Sequence, residues 1–299
     1  MTAGAPTLGW GALGGAALAA SLGSLPVQLA FAAVAIGLVG MVHGAGDLAV
    51  VARSRRPVFL AAYGLVSAIC LWWWVTTPAV ALPAFLVASA VHFGMEDAPQ
   101  GPWWERALRG AGLVAAPATL HGPALLAMLA AASGGAAWLP MAVDGMALAG
   151  GIAAAGLLAL AVRRHDVRLG IGTAAVLLLP PLIGFSLGFL ILHALPQTRE
   201  RQVELGLPTL GAYLRLTWPI LAAAVAIAAL VGILLLRWDG TGLRGLFAGI
   251  AALAMPHLLV TPWFEARLPV AWPALPSGSQ RLRWQRTFLR NPRHPVGAS

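Results

Sequence analysis

The stretch AAAVAIAALVGILLL, from Ala222 to Leu236, carries no charged or hydrogen-bonding side chain over fifteen residues. With its flanks it stays apolar from about 209 to 236, long enough for a helix to cross the hydrocarbon core of a bilayer, which takes about 20 residues. A membrane-spanning strand would alternate apolar and polar residues at period two, and this run does not. Similar runs lie near 27–52, 58–77, 78–95, 107–132, 137–162, 169–195 and 243–263, with a weaker, Gly/Ala-rich candidate at 8–23. The chain of 299 residues is 59% hydrophobic and 10% charged, with a mean hydropathy of +0.81. Charged residues make up about a quarter of a water-soluble domain, so a soluble globule is excluded. The expected fold is all-α: a polytopic integral membrane helix bundle of about seven to nine transmembrane helices. Residues 1–267 read as a single transmembrane helical domain and 268–299 as an Arg/Pro-rich polar tail. The expected location is the cell membrane, as a multi-pass protein of the lipid bilayer.

All 19 basic residues are Arg, and the formal net charge is +9. Without a Lys amine there is no Schiff base, which excludes a covalent retinal photoreceptor. The arginines fall between apolar runs and in the tail, where membrane topology already places them, so no nucleic-acid partner is expected. The single Cys70 makes no intramolecular disulfide, and no Cys-x-x-Cys-His attaches a haem. No basic residue precedes Arg53, so the positive start of a signal peptide is missing and the first segment is expected to be retained. The Trp72-Trp73-Trp74 and Trp103-Trp104 clusters read mostly as interfacial belts.

Ionisable groups in hydrocarbon cost about 2.5–3.5 kcal/mol each on insertion scales, so those inside apolar runs need a reason. Four segments hold them: Val42-His43-Gly44-Ala45-Gly46-Asp47, Ser89-Ala90-Val91-His92-Phe93-Gly94-Met95-Glu96-Asp97, Leu192-His193-Ala194-Leu195-Pro196-Gln197 and Met255-Pro256-His257. His43 with Asp47, His92 with Glu96 and His193 with Gln197 are four residues apart, which stacks each pair on one helix face. Imidazole is the commonest metal ligand, and a ligating ring usually gives its other N–H to a carboxylate or carbonyl. Asp47, Glu96 or Asp97, and Gln197 suit that role, and one of the carboxylates is alternatively a ligand itself. Imidazole-rich shells fit iron, copper, zinc or nickel and disfavour magnesium and calcium. His121 reads as a structural or cavity residue, His165 and His294 as solvated. Gly44, Gly46 and Gly94 leave space beside the histidines for a bulky ligand.

In order, spacing and chain length, these segments resemble the Brp/Blh family of bacterial and archaeal integral-membrane β-carotene 15,15'-dioxygenases. The resemblance rests on His43-Gly44-x-x-Asp47, Ser89-x-x-His92-Phe93-Gly94-x-x-Asp97, the isolated His193 and Pro256-His257. It implies a non-haem Fe(2+) centre on His43, His92, His193 and His257, with Asp47, Glu96, Asp97 and Gln197 as the polar residues of the catalytic site. It also implies β-carotene and O2 as substrates, two retinal molecules as products, and a retinal-binding protein downstream. One departure stands out: the family carries Trp-His-Ser-x-x-His where this chain has His193 followed by Gln197. The site then has three histidines or recruits His257, Asp47 or Glu96. Two other function classes fit the residues: a membrane ion or proton transporter using intramembrane His, Asp and Glu, and a non-catalytic carotenoid- or retinal-binding membrane protein. A di-iron desaturase typically uses eight histidines, and the chain has seven.

Ligands of one metal must meet at one depth, and helices advance 1.5 Å per residue. The simple run count leaves His193 and His257 far from His43 and His92, and it puts the tail opposite the Arg53–Arg56 and Arg163–Arg168 loops that the positive-inside rule assigns to the cytoplasm. An additional break is therefore required. It is expected within 107–162, with Pro180-Pro181, Pro117 and Pro123 as further candidate kinks.

Overall fold

The computed structural model describes residues 4–264, and every regular element among them is a helix. The polar tail expected from 268 and His294 lie outside the described residues. In chain order come α1 (Gly4–Ser21), α2 (Leu25–Ala32), a π turn (Ala33–Val39), two 3-10 turns (Gly40–Val42 and Gly44–Gly46) and α3 (Asp47–Val50). Then follow α4 (Arg56–Thr76), α5 (Pro78–Asp97), α6 (Trp103–Ser133), α7 (Leu139–Arg164), α8 (Val167–Leu178), α9 (Pro181–Phe189), a second π turn (Leu190–Ala194) and α10 (Leu195–Glu204). The last elements are α11 (Leu210–Leu235), α12 (Leu243–Leu259) and the short α13 (Thr261–Phe264). Eight stretches are long and apolar enough to cross a membrane, within the expected seven to nine.

Small residues set the closest helix contacts, as they do where lipid supplies no hydrophobic drive between helices. A Cβ on Gly110 would collide with the Ala90 carbonyl, and one on Gly94 with the Arg106 carbonyl, so α5 and α6 touch backbone to backbone. Gly150 does the same for α7 against Ala115 of α6. Two polar ties hold α4 to α12: Tyr63 donates to the Leu253 carbonyl at 3.0 Å and Ser67 to the Ala252 carbonyl at 2.8 Å. Trp72, Trp103 and Trp263 are exposed as a belt requires, whereas Trp74 is fully buried against Phe85 and Phe247 and belongs to the core.

Within 107–162 the expected broken helix is present, because the backbone of His121 leaves the helical region (φ -127°, ψ 31°) and kinks α6, but this break adds no further crossing. The break that changes the depth relation is a second one, at Leu179-Pro180-Pro181. Pro181 has no N–H for a continuing helix, and the residue before a proline is pushed out of the helical region, so α8 stops after 12 residues, too short to cross. The chain then doubles back, with Gly172 against Ile191 and Leu192 and Gly188 against Val176, an antiparallel hairpin whose two open ends share one level. His121 caps its tip, the imidazole Nε2 lying 3.2 Å from the Leu178 carbonyl, a group that would otherwise lack a donor at the end of a helix.

Because the hairpin returns to the face it left, the depth conflict disappears. Arg55 donates to the Trp263 carbonyl and stands over the Phe264 ring, so α13 ends beside the Arg53–Arg56 loop. Arg164 makes two hydrogen bonds to buried Glu105, at 2.6 and 2.8 Å, tying the end of α7 to the start of α6 on that face. Among the described arginines all but Arg237 and Arg244 gather toward this side. Such an asymmetry is that of a cytoplasmic face.

Candidate metal centre

Four segments distant in sequence bring imidazoles together. His43 enters between the two 3-10 turns, His92 from α5, His193 from the second π turn and His257 from α12. Their ring centroids form a closed circuit: His43 to His193 5.1 Å, His193 to His92 5.1 Å, His92 to His257 5.3 Å and His257 to His43 5.3 Å. Neighbouring rings stand edge to face, at 67–90°.

Such spacings also occur in ordinary aromatic packing, where centroids lie about 4.5–7 Å apart. The ring nitrogens decide the matter. His43 Nδ1 donates to the Gly40 carbonyl at 2.6 Å, His193 Nδ1 lies 2.8 Å from Asp97 Oδ1, and His257 Nδ1 lies 2.6 Å from Asp47 Oδ2. Donation from Nδ1 fixes the tautomer with the lone pair on Nε2. The Nε2 atoms of His193 and His257 are buried and have no hydrogen-bond partner within the protein. An unmet buried polar atom costs about 1–3 kcal/mol, and two of them in one ring of imidazoles need a common acceptor of lone pairs. A cation is such an acceptor. His92 Nε2 lies 3.5 Å from Glu96 Oε2, and His92, Glu96 and His193 can each offer a ligand atom within 4.8 Å of the others.

The outer layer of partners differs from the i, i+4 pairing expected from sequence. Only His92 and Glu96 pair that way. Asp47 holds His257 rather than His43, and Asp97 holds His193. At three residues per turn, a 3-10 segment puts residue i+4 a third of a turn away from residue i, so Asp47 cannot share the His43 face. Gln197 is not in the imidazole ring: its amide donates to the Glu96 carbonyl at 3.4 Å. The widened turn Leu190–Ala194 ahead of Pro196 takes it out of register with His193. Of the glycines, Gly46 is fixed by packing, since a Cβ there would collide with the Tyr213 hydroxyl, and Gly94 by the α5–α6 contact; Gly44 alone has room for a Cβ, which would rest 3.9 Å from His257 Nδ1.

Two contributors were not anticipated, Thr261 and Tyr213, and Arg201 joins them at the site. Thr261 donates to Asp47 Oδ2 at 2.8 Å, Arg201 places its guanidinium 3.6 Å from Asp47 Oδ1, and fully buried Tyr213 donates to the carbonyls of Val42 and His43 at 3.0 and 3.2 Å. Thr261 follows His257 by four residues, the same spacing read for the other three histidines. Tyr213 leaves no such signal.

An apolar cavity of about 200 Å³ opens from the imidazole ring away from the arginine-rich face. Ile36, Phe85, Phe93, Phe185, Phe189, Phe247 and Ile250 are among its walls, and Phe93 and Phe189 pack directly on His193. Its polar lining, Asp47, Tyr63, Ser89 and the histidines, is at the imidazole end. The imidazoles therefore form a boundary, with carboxylates and arginines on one side and a hydrocarbon-lined space on the other.

A family model described as beta-carotene 15,15'-dioxygenase matches residues 34–265, which include all four histidines and every acidic group around them. No curated protein and no solved structure matches the chain. With most of its length covered by that match, the chain belongs to the beta-carotene 15,15'-dioxygenase family.

Proposed function

We propose that the protein cleaves the central 15,15' double bond of β-carotene with O2, giving two molecules of all-trans-retinal, at one Fe(2+) held by His43, His92, His193 and His257. The observation that carries this reading is the pair of buried, unpartnered Nε2 atoms in a ring of four imidazoles that faces an apolar cavity. Bound iron supplies the activation of O2 that a hydrocarbon double bond requires. All other tasks fall to the chain. His43, His92, His193 and His257 are the ligands, and Gly40, Asp97 and Asp47 orient three of the rings through Nδ1. The buried carboxylates of Asp47 and Asp97 balance a divalent charge that the membrane interior would otherwise penalise. Glu96, next to His92, is a fifth donor at the edge of the ring. The cavity binds the polyene and excludes water from the reacting bond.

Gln197 costs the site nothing on this reading, because His257 supplies the fourth imidazole. A transporter relay needs no stoichiometric metal, and a carotenoid-binding protein without catalysis needs no convergent lone pairs. The test is expression in a β-carotene-accumulating bacterial host, chromatography for retinal, and iron quantification on the purified protein. Retinal with about one iron per chain is expected. Protein that folds and inserts but holds no iron and yields no cleavage product would overturn the reading.

A further inference from the structure

The cavity has a measurable depth. Along α12 its lining runs from His257 to Leu246, eleven residues, and along α9 and the π turn from His193 to Pro181, twelve residues. At 1.5 Å per residue both walls give about 16–18 Å from the imidazole ring to the far end. That is comparable with the length of one retinal molecule, the ionone ring with its polyene arm. The far end is built from Leu129, which is 2% exposed, with Met146 and Leu246 both partly buried. Met146 is the one residue of α7 in the lining. The opposite side of the cavity, at Leu60 of α4, is half exposed on a lipid-facing surface, so the space is deep in one direction and open in the other.

We infer that this deep arm is a length gauge, in which Met146, with Leu129 and Leu246, stops the ionone ring of one half of the substrate and thereby sets which double bond lies at the imidazoles. The inference rests on the carotenoid-cleaving reading of the same site. A purely apolar arm offers no hydrogen bond to fix the substrate along its axis, so position is left to the end stop. Moving the stop by one side chain slides the polyene past the imidazoles, and oxidative cleavage with O2 then yields two carbonyl products of unequal length in place of two retinals.

The experiment compares wild type with Met146→Ala, Met146→Phe and, as a second stop residue, Leu246→Phe, each purified in lipid nanodiscs with iron content measured. Cleavage products of β-carotene and of lycopene, whose uncyclised ends reach further, are separated by chromatography. Binding of retinal and of longer β-apocarotenals is followed in parallel by quenching of tryptophan emission. Met146→Ala is expected to raise lycopene turnover relative to β-carotene at least fivefold and to improve binding of the longer aldehydes. Met146→Phe or Leu246→Phe is expected to give unequal carbonyl products from β-carotene and to weaken binding of the longer aldehydes first. Iron-replete variants with unchanged products, unchanged lycopene ratio and unchanged length preference overturn the gauge. If wild type cleaves no carotenoid, the function reading fails and the binding series alone judges the gauge: equal affinity for all lengths in wild type and Met146→Ala overturns it, a length limit relaxed by Met146→Ala supports it.

Discussion

Asp47→Asn isolates the electrostatic part of the proposed metal centre. Asp47 Oδ2 accepts from His257 Nδ1 at 2.6 Å and from Thr261 at 2.8 Å, and the residue is 2% exposed. The amide oxygen of Asn can keep both hydrogen bonds in place, so the substitution removes charge while preserving shape. A hydrogen bond to a charged group contributes about 1.5–3 kcal/mol and a neutral one about 0.5–1.5, so two downgraded bonds lose on the order of 2 kcal/mol. That corresponds to roughly 30-fold in iron affinity, inside the 10–100-fold range typical for a group that orients a metal-ligating histidine. The remaining Asn N–H would also meet the Arg201 guanidinium, donor against donor, which adds to the loss. The assay is chelator competition for iron on nanodisc-embedded protein, with exposed Asp144→Asn as the control. Wild-type affinity in an Asp47→Asn protein of unchanged helicity would refute the assignment of Asp47 as the partner that orients His257.

Further outcomes follow from the same geometry. His257→Ala is expected to abolish both iron binding and cleavage, whereas Gln197→Ala, whose amide faces a main-chain carbonyl, is expected to leave iron content within about twofold of wild type, on the order of 0.4 kcal/mol; metal analysis of the two proteins side by side decides it. Gly110→Ala sets a methyl against the Ala90 carbonyl and should lower thermal stability by about 1–3 kcal/mol, read as an earlier loss of helical signal on heating in detergent. His121→Ala strips the Leu178 carbonyl of its donor and should cost about 1–3 kcal/mol of stability while leaving iron unchanged; a drop in iron at equal stability would contradict the purely structural role.

The helical bundle is legible in the sequence because bilayer thickness imposes a length and composition that few other structures share. His43, His92, His193 and His257 are legible for the same reason: an imidazole in an apolar run has to answer for its cost. Their outer partners are less so. The i, i+4 rule presumes a regular α-helix, and the chain departs from one where His43 and His193 sit, at Ala33–Gly46 and Leu190–Ala194. Widened and tightened turns of this kind concentrate at functional sites, so the rule fails where it matters most. Asp47 and Asp97 were found as residues but assigned to the wrong rings. Tyr213 was missed because a tyrosine reaching a main-chain carbonyl 170 residues away leaves no local pattern. Pro180-Pro181 was visible as a break, yet only the antiparallel contact of Gly172 with Leu192 distinguishes a kink in one span from a reversal.

The hairpin α8–α9 has a consequence for how such a chain can change. An element that leaves and rejoins one face contributes no net crossing, so α11 and α12 keep their orientation whatever happens to its length. Insertions or deletions at Leu179–Pro181 would lengthen or shorten a loop buried in the bilayer without turning His257 inside out. A crossing helix in the same place would couple every edit of the His193 segment to the topology of all that follows. The hairpin uncouples the two, and the segment that carries His193 is free to vary as an inserted module within a bundle whose handedness and sidedness are set elsewhere.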